Sequence, residues 1–296
     1  MKPVLALMFA LLLSAPALAQ IAPAAQRQPG RIYPVTEGLH VVVLEGRNSV
    51  VLVGQDSVLL SESNFAERAQ DLKDLIASVT PHPVKLVINT HWHADHVGGN
   101  AFFARAGAVT LAQEKTRLRM GSPQVNRLTG AVQQQAFAPE FLPMVTFKDA
   151  TTVHFAGETI ELTHYPDAHT DADTVLHFRN ANVIFLGGLL NHPTYAGIRS
   201  PDGFVSALDK VLTKGNAATK YIGWRGAVIT PADVKEWRDI IATVRDRVSA
   251  QIRDGRTLDQ IVAAKPSRDF DPKWGGANNA DNFVRQIHAG LTTPLD

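Results

Sequence analysis

The run His91-Trp92-His93-Ala94-Asp95-His96 constrains this chain more than any other segment. Three imidazoles and one carboxylate fall within six residues, directly after the apolar run 84–88. Neutral imidazole and carboxylate are the side chains that hold zinc and similar cations when thiols are absent. Cysteine is absent from the whole sequence, so any metal must be held by nitrogen and oxygen. In an extended segment, residues i and i+2 project to the same side. His91 and His93 can therefore address one ion. Asp95 and His96 follow at the turn, within reach of a second ion or of a bound water. The competing reading is a polar strand-to-helix loop whose histidines only cap and hydrogen-bond, but surface histidines seldom cluster this way.

The N-terminus reads as an address. Lys2 is a short positive region, residues 4–13 are almost unbroken apolar sequence, and Ala17-Leu18-Ala19 is an A-x-A cleavage site. This is the pattern of a secretory signal peptide over residues 1–19. The stretch is too short for a membrane anchor, and no other segment is apolar enough to span a bilayer. The mature chain is expected to start near Gln20 and to be exported to a bacterial periplasm. Residues 20–31, rich in Ala, Pro and Gln, read as a flexible leader, and residues 32–296 as a single domain with a helical C-terminal segment. A net charge of +1 gives no case for nucleic acid or an anionic membrane surface, which call for a basic patch. The expected partner is a small-molecule substrate.

Residues 39–44, 49–53 and 57–61 are short β-branched runs separated by glycine turns, as strands are. Residues 66–79 have helical spacing, with Leu72, Leu75, Ile76 and Val79 on one face. Residues 84–89 read as a buried strand that delivers the histidines at its end. A short helix near 101–105 and a strand at 109–112 follow. Residues 113–146, broken by Pro123, Pro139 and Pro143, are expected to form a helix and a loop over the site. Hairpins are expected at 151–155 with 158–164 and at 174–178 with 183–186. Helices at 204–213, 232–253 and 281–291, with a strand at 220–222, complete an α/β pattern of two sheets with helices outside.

The run Thr90-His91-Trp92-His93-Ala94-Asp95-His96-Val97-Gly98-Gly99-Asn100 resembles the metallo-β-lactamase superfamily, whose signature is H-x-H-x-D-H followed by glycines. Roughly seventy residues further on, Ala168-His169-Thr170-Asp171-Ala172-Asp173-Thr174 resembles its second signature. The tail around 263–266 and 269–275 looks like that of exported members of the superfamily. The resemblance implies an αββα sandwich in which His91, His93 and His169 form one metal site. Zinc in such a site brings bound water to a pKa of about 7, yielding hydroxide at neutral pH. Asp95 is then placed to orient that hydroxide or take its proton. In many relatives the equivalents of Asp95 and His96 also bind a second zinc.

The second site is incomplete here. Where relatives carry a bridging Asp, this chain has Gly188. Where they carry a last His, it has Arg225. Glu62 stands where an Asp is usual. Glycine has no donor, and a guanidinium has no lone pair and stays protonated. A fixed charge at Arg225 would repel a second cation by about 4 kcal/mol at 4 Å and an effective dielectric of 20. The expectation is one Zn2+, with Arg225 either acting in place of the second metal on a carboxylate or oxyanion or pairing with Asp95 to close the site. His192, just beyond Gly188, is a candidate substitute ligand. Asp171 and Asp173 are expected to orient the His169 loop, and Trp92 to point away from the metal into the packing.

The leading expectation is an exported zinc hydrolase acting on a lactam, lactone, ester or thioester carbonyl, with Asp95 and Arg225 in catalytic roles. The alternative is a relative that binds metal or ligand without turnover; a redox iron site is a third. If missing ligands alone limit the second site, Arg225→His combined with Gly188→Asp is expected to gain a second zinc.

Overall fold

Buried side chains sort into three apolar layers, and that sorting describes the architecture. The computed structural model describes residues 29–294 except 127 and 128. The expected signal peptide and nearly all of the leader lie outside these residues. Strands β1 (Arg31–Thr36), β2 (Leu39–Leu44), β3 (Arg47–Val53), β4 (Val58–Ser61), β5 (Val84–Asn89) and β6 (Val109–Gln113) belong to one sheet. After a small hairpin, β7 (Gln124–Val125) and β8 (Val132–Gln134), strand β9 (Val145–Phe147) completes it. Its order is β1-β2-β3-β4-β5-β6-β9, and the pairs from β4 onward are parallel.

The second sheet contains β10 (Ala150–Phe155), β11 (Glu158–Tyr165), β12 (Asp173–Phe178), β13 (Val183–Phe185), β14 (Lys220–Ile222) and β15 (Val228–Ile229), in that order. Parallel neighbours need crossover connections, usually helical. The helices α1 (Ala69–Ala77), α2 (Ala94–Val97), α3 (Asn100–Arg105) and α4 (Glu114–Met120) lie in the crossovers of the first sheet. α5 (Pro201–Lys214) joins β13 to β14, and α6 (Pro231–Arg253), α7 (Leu258–Ala263) and α8 (Gly276–Thr292) follow.

Period-2 alternation assigns each strand residue to a layer. Leu39, Val41, Val50, Leu52, Leu59 and Ile88 face Ile160, Leu162, Leu176, Phe178 and Phe185 across the gap between the sheets. Val42, Val51, Leu60 and Val87 face the other way, onto Leu72 and Ile76 of α1 and Phe103 of α3. On the far side, Val175, Ile184 and Tyr221 pack on Phe204, Leu208, Trp237, Ile241 and Phe283. The layers therefore run helix, sheet, sheet, helix. Pro231 at N1 and the reciprocal Thr230–Asp233 capping box start α6, as helix-start chemistry requires.

Several elements differ from expectation. Arg31, placed at the end of the leader, opens β1, where Pro34 had hidden the strand pattern and coincides with a register irregularity. The segment 113–146 is more ordered than its prolines suggest, forming α4, the β7–β8 hairpin and β9. The helix α7 was not anticipated. No helix among the described residues is long and apolar enough to cross a membrane.

Trp237 anchors the outer helical layer. It is fully buried, stacks on Trp274 with ring centroids 5.0 Å apart, and donates its indole N–H to the Leu189 carbonyl at 3.0 Å. Trp237→Ala is expected to cost about 3–5 kcal/mol, read by urea denaturation. A loss below about 1 kcal/mol would contradict this anchoring role.

Candidate metal centre

The histidine run sits at the carboxyl ends of parallel strands, where open α/β sheets place ligands. β5 ends at Asn89, and His93 caps α2 from an extended conformation. His91 Nε2 lies 2.9 Å from His93 Nδ1, and His169 Nε2 lies 3.1 Å from the same atom. One ring nitrogen from each of the three histidines lies within 4.8 Å of the others. The structure thus brings His91, His93 and His169 together.

The chemistry of these donors fits zinc. His169 Nδ1 donates to the Gly197 carbonyl at 2.8 Å, so its Nε2 offers a lone pair inward. His91 Nδ1 is 3.1 Å from the Thr90 hydroxyl. Burial and the neighbouring imidazoles push the pKa of His91 well below its ordinary value. Burial and His169 do the same to His93. Three imidazole nitrogens this close together form the donor set that a tetrahedral cation with an open fourth position takes.

The His169 loop is held by a buried carboxylate. Asp173 accepts from the backbone N–H of His169 at 2.7 Å and of Thr170 at 2.9 Å. It also accepts from the Thr170 hydroxyl at 2.6 Å. Burial raises the pKa of Asp173, against the opposing pull of His169 and these hydrogen bonds. Asp171, also buried, instead pairs with Arg119 on the cavity wall, 2.8 Å from its Nη2, and its carbonyl contacts His164 Nε2 at 2.9 Å.

Asp95 and His96 lie on the other flank and do not join the three-histidine group. His96 is sandwiched between His91 and Trp224, with ring centroids 3.8 Å from each. Its Nδ1 faces Glu62 Oε1 at 3.2 Å, and its Nε2 is 3.9 Å from Asp95. Glu62 is fully buried and accepts from the Thr90 backbone N–H at 3.1 Å. Burial opposes ionisation of Asp95, but His96, His93 and Arg47 together bring its pKa down to about 2. The cation on Asp95 is Arg47, with Nε 3.4 Å from Oδ2. The expected alternative of an Arg225–Asp95 pair is therefore not what the structure shows. Among the described residues Arg225 forms no ion pair. Burial and the nearby Arg47 lower its pKa, while Asp95 opposes this.

Three further expectations are corrected. His192 faces Trp274, with centroids 5.1 Å apart, in the field of Asp233, Lys273 and Glu236. It is not with the triad, because the chain turns away after Leu190. Trp92 does not point away: it meets His93 edge-on at 4.2 Å and lines a cavity of about 290 Å³ with His93, His169, Arg119, Ile198 and Gln286. Finally, a Cβ at Gly188 would stand 2.4 Å from His169 Cδ2 and 2.9 Å from His91 Cε1. An Asp there would disturb the triad as it stands, so the Gly188→Asp exchange is not a simple restoration of a ligand.

Sequence reasoning missed Arg47 and Trp224 as site residues. Their roles depend on Asn48, which ties β3 to the 223–226 loop. Its backbone N–H donates to the Trp224 carbonyl at 2.8 Å, and its amide donates to the Gly223 and Gly226 carbonyls, each at 2.9 Å.

Known proteins agree with this architecture. Residues 41–214 match the family model of the metallo-beta-lactamase superfamily. A linear primary-alkylsulfatase from Pseudomonas sp. (strain ATCC 19151) is 21% identical over 229 residues, covering 62% of this chain and 43% of that protein. The stereoselective inverting sec-alkylsulfatase Pisa1 from Pseudomonas sp. superposes with a TM-score of 0.67 at 16% identity, over 89% of this chain and 50% of that one. A metallo-beta-lactamase from Pontibacter korlensis superposes with a TM-score of 0.59 at 16% identity, over 72% of this chain and 99% of that one. The chain thus spans half or less of the alkylsulfatases it matches. With a family model covering more than half of its 296 residues, the chain belongs to the metallo-β-lactamase superfamily.

Proposed function

We propose that this protein is an exported hydrolase that cleaves an ester- or amide-type bond of a small molecule at a single zinc site. The convergence of His91 Nε2, His93 Nδ1 and His169 Nε2, with His93 and His169 also lining a cavity, carries this reading. Zinc bound there supplies Lewis acidity and lowers the pKa of water to about 7. The protein's own groups do the rest. The Gly197 carbonyl and Asp173 hold His169 in its productive tautomer and position. Asp95, held below the usual carboxylate range by His96, His93 and Arg47, is ionised near neutrality. Its role is to orient water. Arg225 supplies a fixed positive charge that favours a developing oxyanion. Trp92 and Ile198 line the cavity, where a bound substrate would meet them. Lactam, lactone, ester and thioester carbonyls are candidate bonds, and the likeness to alkylsulfatases adds sulfate esters. The signal-like N-terminus supports a periplasmic location.

The test is turnover of a panel of lactams, lactones, carboxylic esters, thioesters and alkyl sulfates by purified protein. At least one class is expected to be hydrolysed, with activity lost to a chelator, restored by zinc and abolished by His93→Ala. A zinc-loaded protein inert to the whole panel would instead support the non-catalytic reading.

Close packing at Gly188 gives a second expectation. Gly188→Ala is expected to weaken zinc binding about 10–100-fold, as loss of ligand positioning does, measured by competition with a chromogenic chelator. Unchanged affinity would show that the rings yield freely.

The third concerns acidity. The folded metal-free protein resists protonation of His91 and His93, whereas the unfolded chain accepts those protons near pH 6.5. Stability is therefore expected to fall as pH drops below about 6.5, by up to ~1.4 kcal/mol per pH unit for each histidine. Urea titrations of metal-free protein between pH 7 and 5 check this. Replacing both histidines with Gln should flatten the slope.

A further inference from the structure

We propose that Arg47 and Arg225 form a two-guanidinium subsite beside the zinc site that binds the anionic group of the substrate. The substrate is then a small organic oxyanion, carrying a sulfate or a carboxylate. Calling the bound anion a substrate rests on the hydrolase reading above; the subsite itself does not.

The Arg225 guanidinium lies beside the turn that precedes Arg47, and the two cations feel each other's charge. A methyl group added at Gly46, the residue before Arg47, would lie 3.5 Å from Arg225 Nη1. The backbone beneath them is fixed. Asn48 binds the carbonyls of Gly223, Trp224 and Gly226. Gly226 has φ +93°, and a Cβ there would overlap the His192 carbonyl at 1.9 Å. Arg47 lies over the Phe65 ring, 4.7 Å from its centroid. Preorganised guanidinium groups lose less freedom on binding and suit bidentate recognition of planar or tetrahedral oxyanions.

Their charge is only loosely met. Nearby, the buried Arg68 takes up Glu45 and Asp71. Arg47 contacts Glu45 at 3.5 Å and Asp95 at 3.4 Å, both well beyond the 2.7–2.9 Å typical of charge-assisted hydrogen bonds. Arg225 has no ion pair among the described residues. Two partly buried guanidinium groups on neighbouring segments clasped by Asn48, one loosely paired and one without an ion pair among the described residues, are complementary to an incoming anion. Asp95, held by Arg47 on this flank, links the subsite to the zinc ligands through His96.

The experiment is calorimetric titration of the full metal-free chain with sodium sulfate and with sodium acetate at low ionic strength. Intrinsic tryptophan fluorescence, compared between the parent protein and Trp224→Phe to isolate the part from Trp224, serves as a second readout beside Arg225. Wild type is expected to bind at least one anion. Arg225→Gln and Arg47→Gln are each expected to weaken binding at least tenfold. Arg225→Lys should recover part of the loss, and added sodium chloride should weaken wild-type binding. Preference for sulfate would point to sulfate esters, and preference for acetate to carboxylates. The Gln variants should keep wild-type circular dichroism and zinc uptake, because neither residue is a ligand of the triad. No binding by wild type, or equal binding by wild type and both Gln variants, overturns the proposal. In that event, zinc-dependent turnover of neutral esters would leave the hydrolase reading standing. Conversely, arginine-dependent anion binding in a protein without turnover would retain the subsite and remove the hydrolase.

Discussion

One hydrogen bond carries much of the site: Thr174 donates its backbone N–H to the Thr90 carbonyl at 2.8 Å. Thr90 precedes His91 at the end of the first sheet, and Thr174 lies in the strand that follows the His169 loop in the second. The bond therefore ties two segments far apart in sequence at the place where their histidines converge. Around it, each ring has a separate restraint. His169 is held through Gly197 and Asp173, His91 through Thr90, and His93 by its position as the cap of a short helix. Fixing several imidazoles against one another costs side-chain entropy and buries polar atoms. The surrounding network offsets that cost only if every partner is in place.

The two flanks of the triad differ in kind. On the cavity side, His93 and His169 are open to a substrate-sized space walled by the β7–β8 hairpin and α8. On the other side stand the stacked His96 and two guanidinium groups, whose positive charge favours an anion over a second cation. His96 is stacked between two rings, Gly188 is pressed against two of the histidines, and Arg47 and Arg225 contribute guanidinium groups. A side chain at Gly188 would press on His169 and His91, and the two arginines add positive charge nearby, so packing and electrostatics both stand against a second cation.

How much of this was legible in sequence depended on contact range. H-x-H-x-D-H is local, so its spacing alone predicted that His91 and His93 share a target. The His169 loop was legible through its resemblance to the second signature; Asp171 and Asp173 were both expected to orient it, and Asp173 holds it while Asp171 pairs with Arg119. β2, β5 and β14 were expected over the same residues the structure shows, because their apolar patterns are bounded by clear turns. Arg47, Trp224 and the Asn48 clasp were not legible. They depend on β3 meeting a loop some 175 residues later, and nothing local marks such a meeting. Trp92 was misjudged because its place between two same-side ligands was taken to send it away from the metal, whereas the strand ends at Asn89 and the indole lies at the cavity wall.

The central claim is that three histidines hold one metal and that arginine-rich packing replaces the second. Elemental analysis of the purified protein, loaded with zinc and washed free of excess, tests it most directly. The account predicts one zinc per chain, falling to none when His93 is replaced. Two zinc ions per chain, both retained through washing, would contradict it.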